Sequence, residues 1–256
     1  MMTDLFDVSD RLALVTGSSR GLGRSLARAL ARGGARLIVH GRDAAAVEDA
    51  RAEMTELSGR PAVAVLFDVT RSAEVADALD AMISDVGLPD ILVNNAGIQR
   101  RAPFQEFAVS DWDDLIAANL SGPFYVARAL APGMVARGSG KIVNVGSVQS
   151  VLARQTIAPY SAAKGGIAQL SRGMAADLAR HGIQVNTLSP GYFATELNRD
   201  LVDDPAFTAW LSARTPAGRW GEFAELDGAL LFLASDASSF VSGQNLVVDG
   251  GMTGVV

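Results

Sequence analysis

Short apolar runs that alternate with longer segments of helical period constrain this chain more than any other feature. The runs fall at residues 12–16, 36–40, 62–67, 91–93, 141–145, 184–188 and 246–248. Between them, segments such as 22–32, 44–57 and 72–86 carry apolar residues every three or four positions. Runs of that length, entered and left through turn residues, read as buried strands. The segments between them are long enough to be helices that cross back over a sheet. The alternation predicts a parallel sheet with helices on both faces. Right-handed crossovers then favour an α/β, doubly wound, seven-stranded topology.

The chain has 256 residues, long enough to bury a large core as one domain. No Pro/Ser-rich stretch, charge block or repeat divides it, so residues 1–256 are read as a single domain. The one break in the rhythm is 191–220, a polar stretch containing Pro205 and Pro216, expected to be a mobile lid over a substrate. Net charge is −6, with no Lys/Arg cluster, which argues against a nucleic-acid partner. There are no cysteines, so disulfides, thiolate catalysis and zinc–sulfur sites are excluded, and no metal is expected. Residues 1–10 lack the apolar core of a signal peptide, and no run approaches a membrane span. The expected setting is therefore cytoplasmic, away from membranes.

A glycine-rich turn follows the first run: Thr16, Gly17, Ser18, Ser19, Arg20, Gly21, Leu22, Gly23. Its spacing is G-x-x-x-G-x-G, between a strand and a helix. Glycines there let backbone approach a pyrophosphate, and the helix N-terminus offers free N–H donors. A bare turn is the alternative. The second run ends at His40, Gly41 and Arg42, without the Asp or Glu that would accept from a ribose 2′-OH. Arg42, with Arg20 and Ser19, can instead hold a 2′-phosphate, which favours NADP over NAD. A solvated loop charge is the plainer account of Arg42. Asp68 and Val69, after the third run, can meet the adenine edge, although a helix cap explains Asp68 as well. Asn94, Asn95, Ala96 and Gly97, after the fourth, can line the crevice or form an ordinary turn.

Tyr160 and Lys164 stand four apart in a helical segment, which puts phenol and ammonium on one face. A neighbouring positive charge is expected to lower the phenol pKa and make Tyr160 usable in proton transfer. Ser147 follows the fifth run, at the strand end where open α/β sheets bind ligands. Asn119 interrupts a helical stretch, either as a satisfied core amide or as a holder of water.

Together these residues resemble the short-chain dehydrogenase/reductase family, over nearly the whole chain to Val248, Asp249, Gly250 and Gly251. The resemblance implies a Rossmann fold and hydride transfer between a nicotinamide and a carbinol or carbonyl carbon. It implies a tetrad in which Tyr160 is acid/base, Lys164 holds the ribose and tunes the phenol, Ser147 polarises the substrate oxygen and Asn119 supports a proton relay. It further implies cofactor contacts from Ile98, Pro190, Gly191 and Thr195, and a homotetramer. The stretches NNAGIQRR (94–101), SVQS (147–150), APY (158–160) and TPAGRW (215–220) are similar to the branch of that family acting on gluconate and 5-ketogluconate. On that footing Gln149, Arg101 and Arg154 are candidate partners for a polyol acid, each equally readable as a solvated loop residue. A 3-ketoacyl-carrier-protein reductase and a non-catalytic NADP-binding protein are the competing functions.

Overall fold

The computed structural model describes residues 5–194 and 198–255. Seven strands, β1 (Leu12–Val15), β2 (Arg36–Gly41), β3 (Val63–Leu66), β4 (Ile91–Asn94), β5 (Gly140–Val145), β6 (Ile183–Pro190) and β7 (Asn245–Val248), form one sheet in the order 3-2-1-4-5-6-7. Every pairing is parallel. Each strand lies at the expected place, with ends shifted by one or two residues. The doubly wound, Rossmann-type expectation holds.

Alternating side chains explain why both faces are covered. Ala13, Val15, Leu37, Val39, Ile91 and Val93 point into one core, where they meet Leu26 and Leu30 of α1 (Gly21–Arg32). Val47 and Met54 of α2 (Ala44–Ser58) join the same core. Leu14, Ile38, Leu92 and Ile142 point the other way, onto Leu79 of α3 (Ser72–Val86). α4 spans Val109–Ile116, and α5 (Gly122–Arg137) adds Val126, Leu130 and Met134 to that second core. α6 (Ala158–Leu178) packs beside it, and α9 (Asp227–Ala234) closes the first core with Leu230 and Leu233. Two short helices, α7 (Arg199–Val202) and α8 (Pro205–Arg214), lie within the segment expected to be a lid.

The chain steps outward from β1 to β3 and then returns to β4 on the other side of β1. That reversal leaves a crevice beyond the carboxyl ends of β1 and β4, the place where such sheets bind ligands. Among the described residues no helix is long and apolar enough to cross a membrane. No group of His, Cys, Asp or Glu among them could hold a metal ion.

Candidate active site

A cleft of about 700 Å³ runs along the carboxyl ends of the strands. At one end it is lined by Gly17, Ser19, Arg20, Gly21, Leu22 and Gly23, with Arg42, Asp68 and Val69. Asn95, Ala96, Gly97 and Ile98 follow, and then Asn119, Ser147, Tyr160, Lys164, Pro190 and Gly191. Residues from six separate loops thus meet in one groove. Thr195 lies outside the described residues.

The glycine turn has the shape a dinucleotide needs. Gly17 takes φ +66°, and a Cβ there would stand 3.0 Å from Ala96 Cα. At Gly23 a Cβ would run into the Gly17 carbonyl and the Asn95 amide. Backbone therefore approaches backbone where any side chain would intrude. The Asn95 amide donates to the Thr16 carbonyl at 3.0 Å and the Gly17 carbonyl at 3.3 Å, tying β4 to the turn. α1 begins after Arg20 with no side-chain cap, so its first N–H groups are left to an external acceptor. A pyrophosphate fits that set of donors.

Arg42 reaches Asp68 at 3.4 Å and is mostly exposed, a position from which it can also turn to a 2′-phosphate. Asp68 does not cap α3, whose cap position is Arg71. Its carboxylate instead accepts from the Thr70 N–H (2.9 Å) and hydroxyl (2.8 Å). Burial pushes its pKa upward, but the bonds from Thr70 and Arg42 outweigh burial and hold it below the usual range. Asp43, by contrast, does cap α2, accepting from the Ala46 N–H at 3.0 Å.

Asn119 sits in a single π-helical turn, Ala117–Ser121, between α4 and α5. Its amide donates to the Ile98 carbonyl at 2.9 Å and the Leu115 carbonyl at 3.0 Å, and its Oδ1 faces Gly97. Such a turn, with one extra residue inside a helix, often marks a functional site. Ser147 opens a short 3₁₀ turn, and its Oγ accepts from the Gln149 N–H at 3.2 Å. Ser150 Oγ accepts from the Ser147 N–H at 3.3 Å and donates to the Lys164 carbonyl at 2.8 Å, which fastens this loop to α6.

Tyr160 occupies the first turn of α6, and Lys164 follows one turn later. The ammonium lies 5.7 Å from the phenol ring centre and donates to the Val145 carbonyl at 2.7 Å. The two side chains do meet, as their spacing predicts. Their titration differs from the expectation. Burial pushes Tyr160 up to about 12, with a hydrogen bond to Ser147 pulling the other way. Burial also pushes Lys164 down to about 8. The ammonium faces the ring rather than the hydroxyl, so loss of hydration outweighs the charge.

Gln149, Arg101 and Arg154 are not part of the cleft lining; they gather around Tyr192, which sequence reasoning missed. Tyr192 is pushed up by burial, while Arg154, Arg101 and a hydrogen bond with Gln149 pull it down. Burial, and next the charge of Arg154, hold Arg101 below its usual value. Arg101 also donates to Asn198 Oδ1 at 3.4 Å. Arg154 stacks 5.5 Å from the ring centre of Phe207 on α8. Gln149 Oε1 and Arg154 Nε are buried without a hydrogen-bond partner. Tyr192 also touches Phe207, Trp210 and Trp220, an aromatic cluster that packs α8 against the β6 exit.

His40 is the other residue that sequence reasoning passed over. It is buried at the end of β2, and its Nδ1 accepts from the Gly17 N–H at 2.9 Å. Its signal, a histidine in an apolar strand, is shared by many ordinary core residues.

Residues 17–253 match a family model described as enoyl-(acyl carrier protein) reductase. The chain is 54% identical to a gluconate 5-dehydrogenase of Gluconobacter oxydans, covering 98% of this chain and 97% of that one. It is 49% identical to a 5-keto-D-gluconate 5-reductase of Escherichia coli, covering 98% of each. A crystal structure of a gluconate 5-dehydrogenase from Burkholderia cenocepacia, in complex with NADP and tartrate, superposes with a TM-score of 0.97. That protein is 54% identical, and each chain is covered in full.

Proposed function

This chain belongs to the short-chain dehydrogenase/reductase family, and from that premise we propose that it interconverts gluconate and 5-ketogluconate with NADP. One observation supports the chemistry above all others: Asn119, Ser147, Tyr160 and Lys164 line the same cleft as the glycine turn. Relatives that act on gluconate or 5-ketogluconate along the whole chain support the substrate. The relative bound to NADP supports the cofactor.

Bound in the cleft, the nicotinamide supplies the means to add or remove hydride at carbon. The chain supplies the proton and the positioning. With its pKa near 12, the Tyr160 phenol is protonated at neutral pH and is poised to donate to the oxygen of a ketone being reduced. Ser147, in the same cleft lining as Tyr160, is placed to hold the same oxygen by a second hydrogen bond and to stabilise charge as it develops there. Lys164 is fixed by the Val145 carbonyl, which leaves further N–H bonds of the ammonium for a ribose hydroxyl. The π-turn amide of Asn119 pins the Ile98 carbonyl, shaping the path by which a proton reaches Lys164 from solvent.

The glycine turn and the uncapped start of α1 are assigned to the pyrophosphate. Ser19, Arg20 and Arg42 are assigned to the 2′-phosphate. Asp68 and Val69 are assigned to adenine, and Asn95, Ala96, Gly97, Pro190 and Gly191 to the remaining cofactor wall. Arg101, Arg154 and Gln149 are assigned to the substrate carboxylate and hydroxyls. Two like-charged guanidinium groups beside each other repel unless an anion sits between them. The buried, unpartnered Arg154 Nε supplies a donor for that anion, and the buried, unpartnered Gln149 Oε1 an acceptor for a substrate hydroxyl. Residues 191–220 act as the lid, with α8 carrying Phe207 against Arg154. The assembly is a homotetramer, in keeping with exposed Phe104, Val109, Phe124 and Phe240.

Steady-state kinetics test the reading, with NADP(H) and NAD(H) against sugar acids, polyols and 3-ketoacyl thioesters. The expected result is highest kcat/KM for the 5-ketogluconate and NADPH pair. Preference for a ketoacyl thioester, or for NADH, would overturn the substrate or the cofactor respectively.

A further inference from the structure

The His40 ring stands between three strand ends. Its Nδ1 lies 2.9 Å from the Gly17 nitrogen, and its Nε2 lies 3.0 Å from the Phe67 carbonyl oxygen just past β3. Its ring centre is 3.9 Å from that of Phe67. Its own backbone is held twice by Ser18, whose hydroxyl accepts from the His40 N–H at 3.0 Å. The Ser18 N–H in turn donates to the His40 carbonyl at 2.9 Å. Gly17, Gly41, Arg42, Phe67 and Asp68, all beside this ring or its strand, line the cleft.

These partners fix the protonation state. Gly17 offers an N–H, so Nδ1 must accept; Phe67 offers a carbonyl, so Nε2 must donate. Only the neutral Nε2–H tautomer satisfies both. A protonated ring would set Nδ1–H against the Gly17 N–H. Burial favours the neutral ring too, pushing the His40 pKa down to about 4. Gly17 is the glycine whose φ is +66° and whose carbonyl is held by Asn95. His40 clamps its other side.

We infer that His40 is a positioning residue for the cofactor: its neutral imidazole locks the glycine turn to the ends of β2 and β3 and so holds open the adenosine end of the cleft. This inference rests on the reading of the cleft as a dinucleotide site. Without the His40 acceptor the Gly17 N–H loses the bond that fixes its peptide plane, and the peptide is free to rotate. Such a rotation would change the surface presented to the nucleotide while leaving Tyr160 and Lys164, on another helix, untouched.

The test uses the full chain and NADP as the probe, with Kd measured by calorimetry for the wild type, His40→Phe and His40→Asn. Asn places an amide oxygen near the position of Nδ1, whereas Phe keeps the ring packing but removes both polar atoms. His40→Phe is expected to raise Kd and the KM for NADPH on the order of tenfold, with kcat at saturating cofactor within about twofold. His40→Asn is expected to restore most of the loss. Should His40→Phe fail to fold, long-range nitrogen–proton NMR of the wild-type ring at neutral pH still reads the tautomer. A neutral Nε2–H form is expected, and a protonated or Nδ1–H form would overturn the inference. Unchanged Kd in His40→Phe, or equal losses in both variants, would also overturn it. If the wild type binds neither NADP nor NAD, the dinucleotide reading fails and this inference falls with it.

Discussion

The wall of the cleft built from the ends of β1, β2 and β4 and the rim around Tyr192 treat buried polar atoms in opposite ways. In the wall, most polar atoms pair within the chain, Asn94 Oδ1 and the uncapped N–H groups of α1 apart. Thr16 Oγ1 accepts from the N–H groups of Asn95 (3.0 Å) and Ala96 (3.1 Å). Both His40 nitrogens are occupied. At the rim, Gln149 Oε1 and Arg154 Nε are buried without partners, and two guanidinium groups crowd each other. An unpaired buried polar atom costs more than most single contacts return. A fold tolerates that cost where something outside the chain removes it. On the proposed reading the wall is a largely preformed mould, and the rim a set of groups held for a polar ligand.

Tyr160 stands between the two regions and should show the largest effect. Tyr160→Phe keeps the ring above Lys164 but deletes the proton. Turnover is expected to fall by roughly 10²- to 10⁴-fold, with the Kd for NADP within about twofold of wild type. Single-turnover reduction of 5-ketogluconate, with calorimetry on the same preparation, measures both. If kcat stays near normal, the phenol is not the donor and the rim must supply the proton.

The wall can be broken by acid. His40 has its pKa depressed from 6.5 to about 4, so the unfolded chain binds this proton first. Stability from the neutral ring is fully present above pH 6.5, falls as pH drops through the interval from 6.5 to 4, and levels off below it. The shift corresponds to roughly 3 kcal/mol at most. Urea melts between pH 7 and 4 should show that loss in the wild type and not in His40→Asn. Parallel losses in the two proteins would place the acid sensitivity elsewhere.

What could be read from the sequence divides along the same line. Strand and helix positions were legible because apolar residues alternate along each strand, as Leu14 and Val15 do, and each face has its own core. That the glycine turn, Ser147, Tyr160 and Lys164 share one cleft was legible, because their placement at strand ends and on one helix face follows from local spacing. The rim was not. Tyr192 meets Arg101, Gln149 and Arg154 only through tertiary folding, and nothing near position 192 signals them. The direction of the Tyr160 shift also escaped, since helical spacing places a charge nearby but says nothing about how much water is lost. For Asp68, the alternative of a helix cap gave way to a local turn with Thr70 because α3 begins only at Ser72, with Arg71 in its cap position.

Arg154 sharpens the contrast from the rim side. Arg154→Met keeps a long unbranched side chain beside Phe207 and deletes the guanidinium that faces its ring. The KM for 5-ketogluconate is expected to rise on the order of tenfold to a hundredfold, the span of a lost charge-assisted hydrogen bond. A sugar alcohol without a carboxylate should be nearly unaffected, as should the Kd for NADP. Equal losses on acid and alcohol would mean that Arg154 shapes the rim rather than binding the carboxylate.

Arg42 carries the smallest expected effect, because the fold holds it only loosely at the edge of the wall. Its side chain is 71% exposed and shares Asp68 at 3.4 Å, so solvent and salt screen much of its attraction for a phosphate. Moving from Asp68 to a 2′-phosphate exchanges a monoanion for a group of higher charge, and the gain is the difference between the two. Arg42→Ala is therefore expected to raise the KM for NADPH by about tenfold or less, with little change for NADH. The effect should shrink further as ionic strength rises. A loss that is equal for both cofactors would show Arg42 supporting the loop through Asp68 instead. In that event, discrimination between the two nucleotides would have to come from Arg20 and Ser19 in the glycine turn, where the backbone is already rigid.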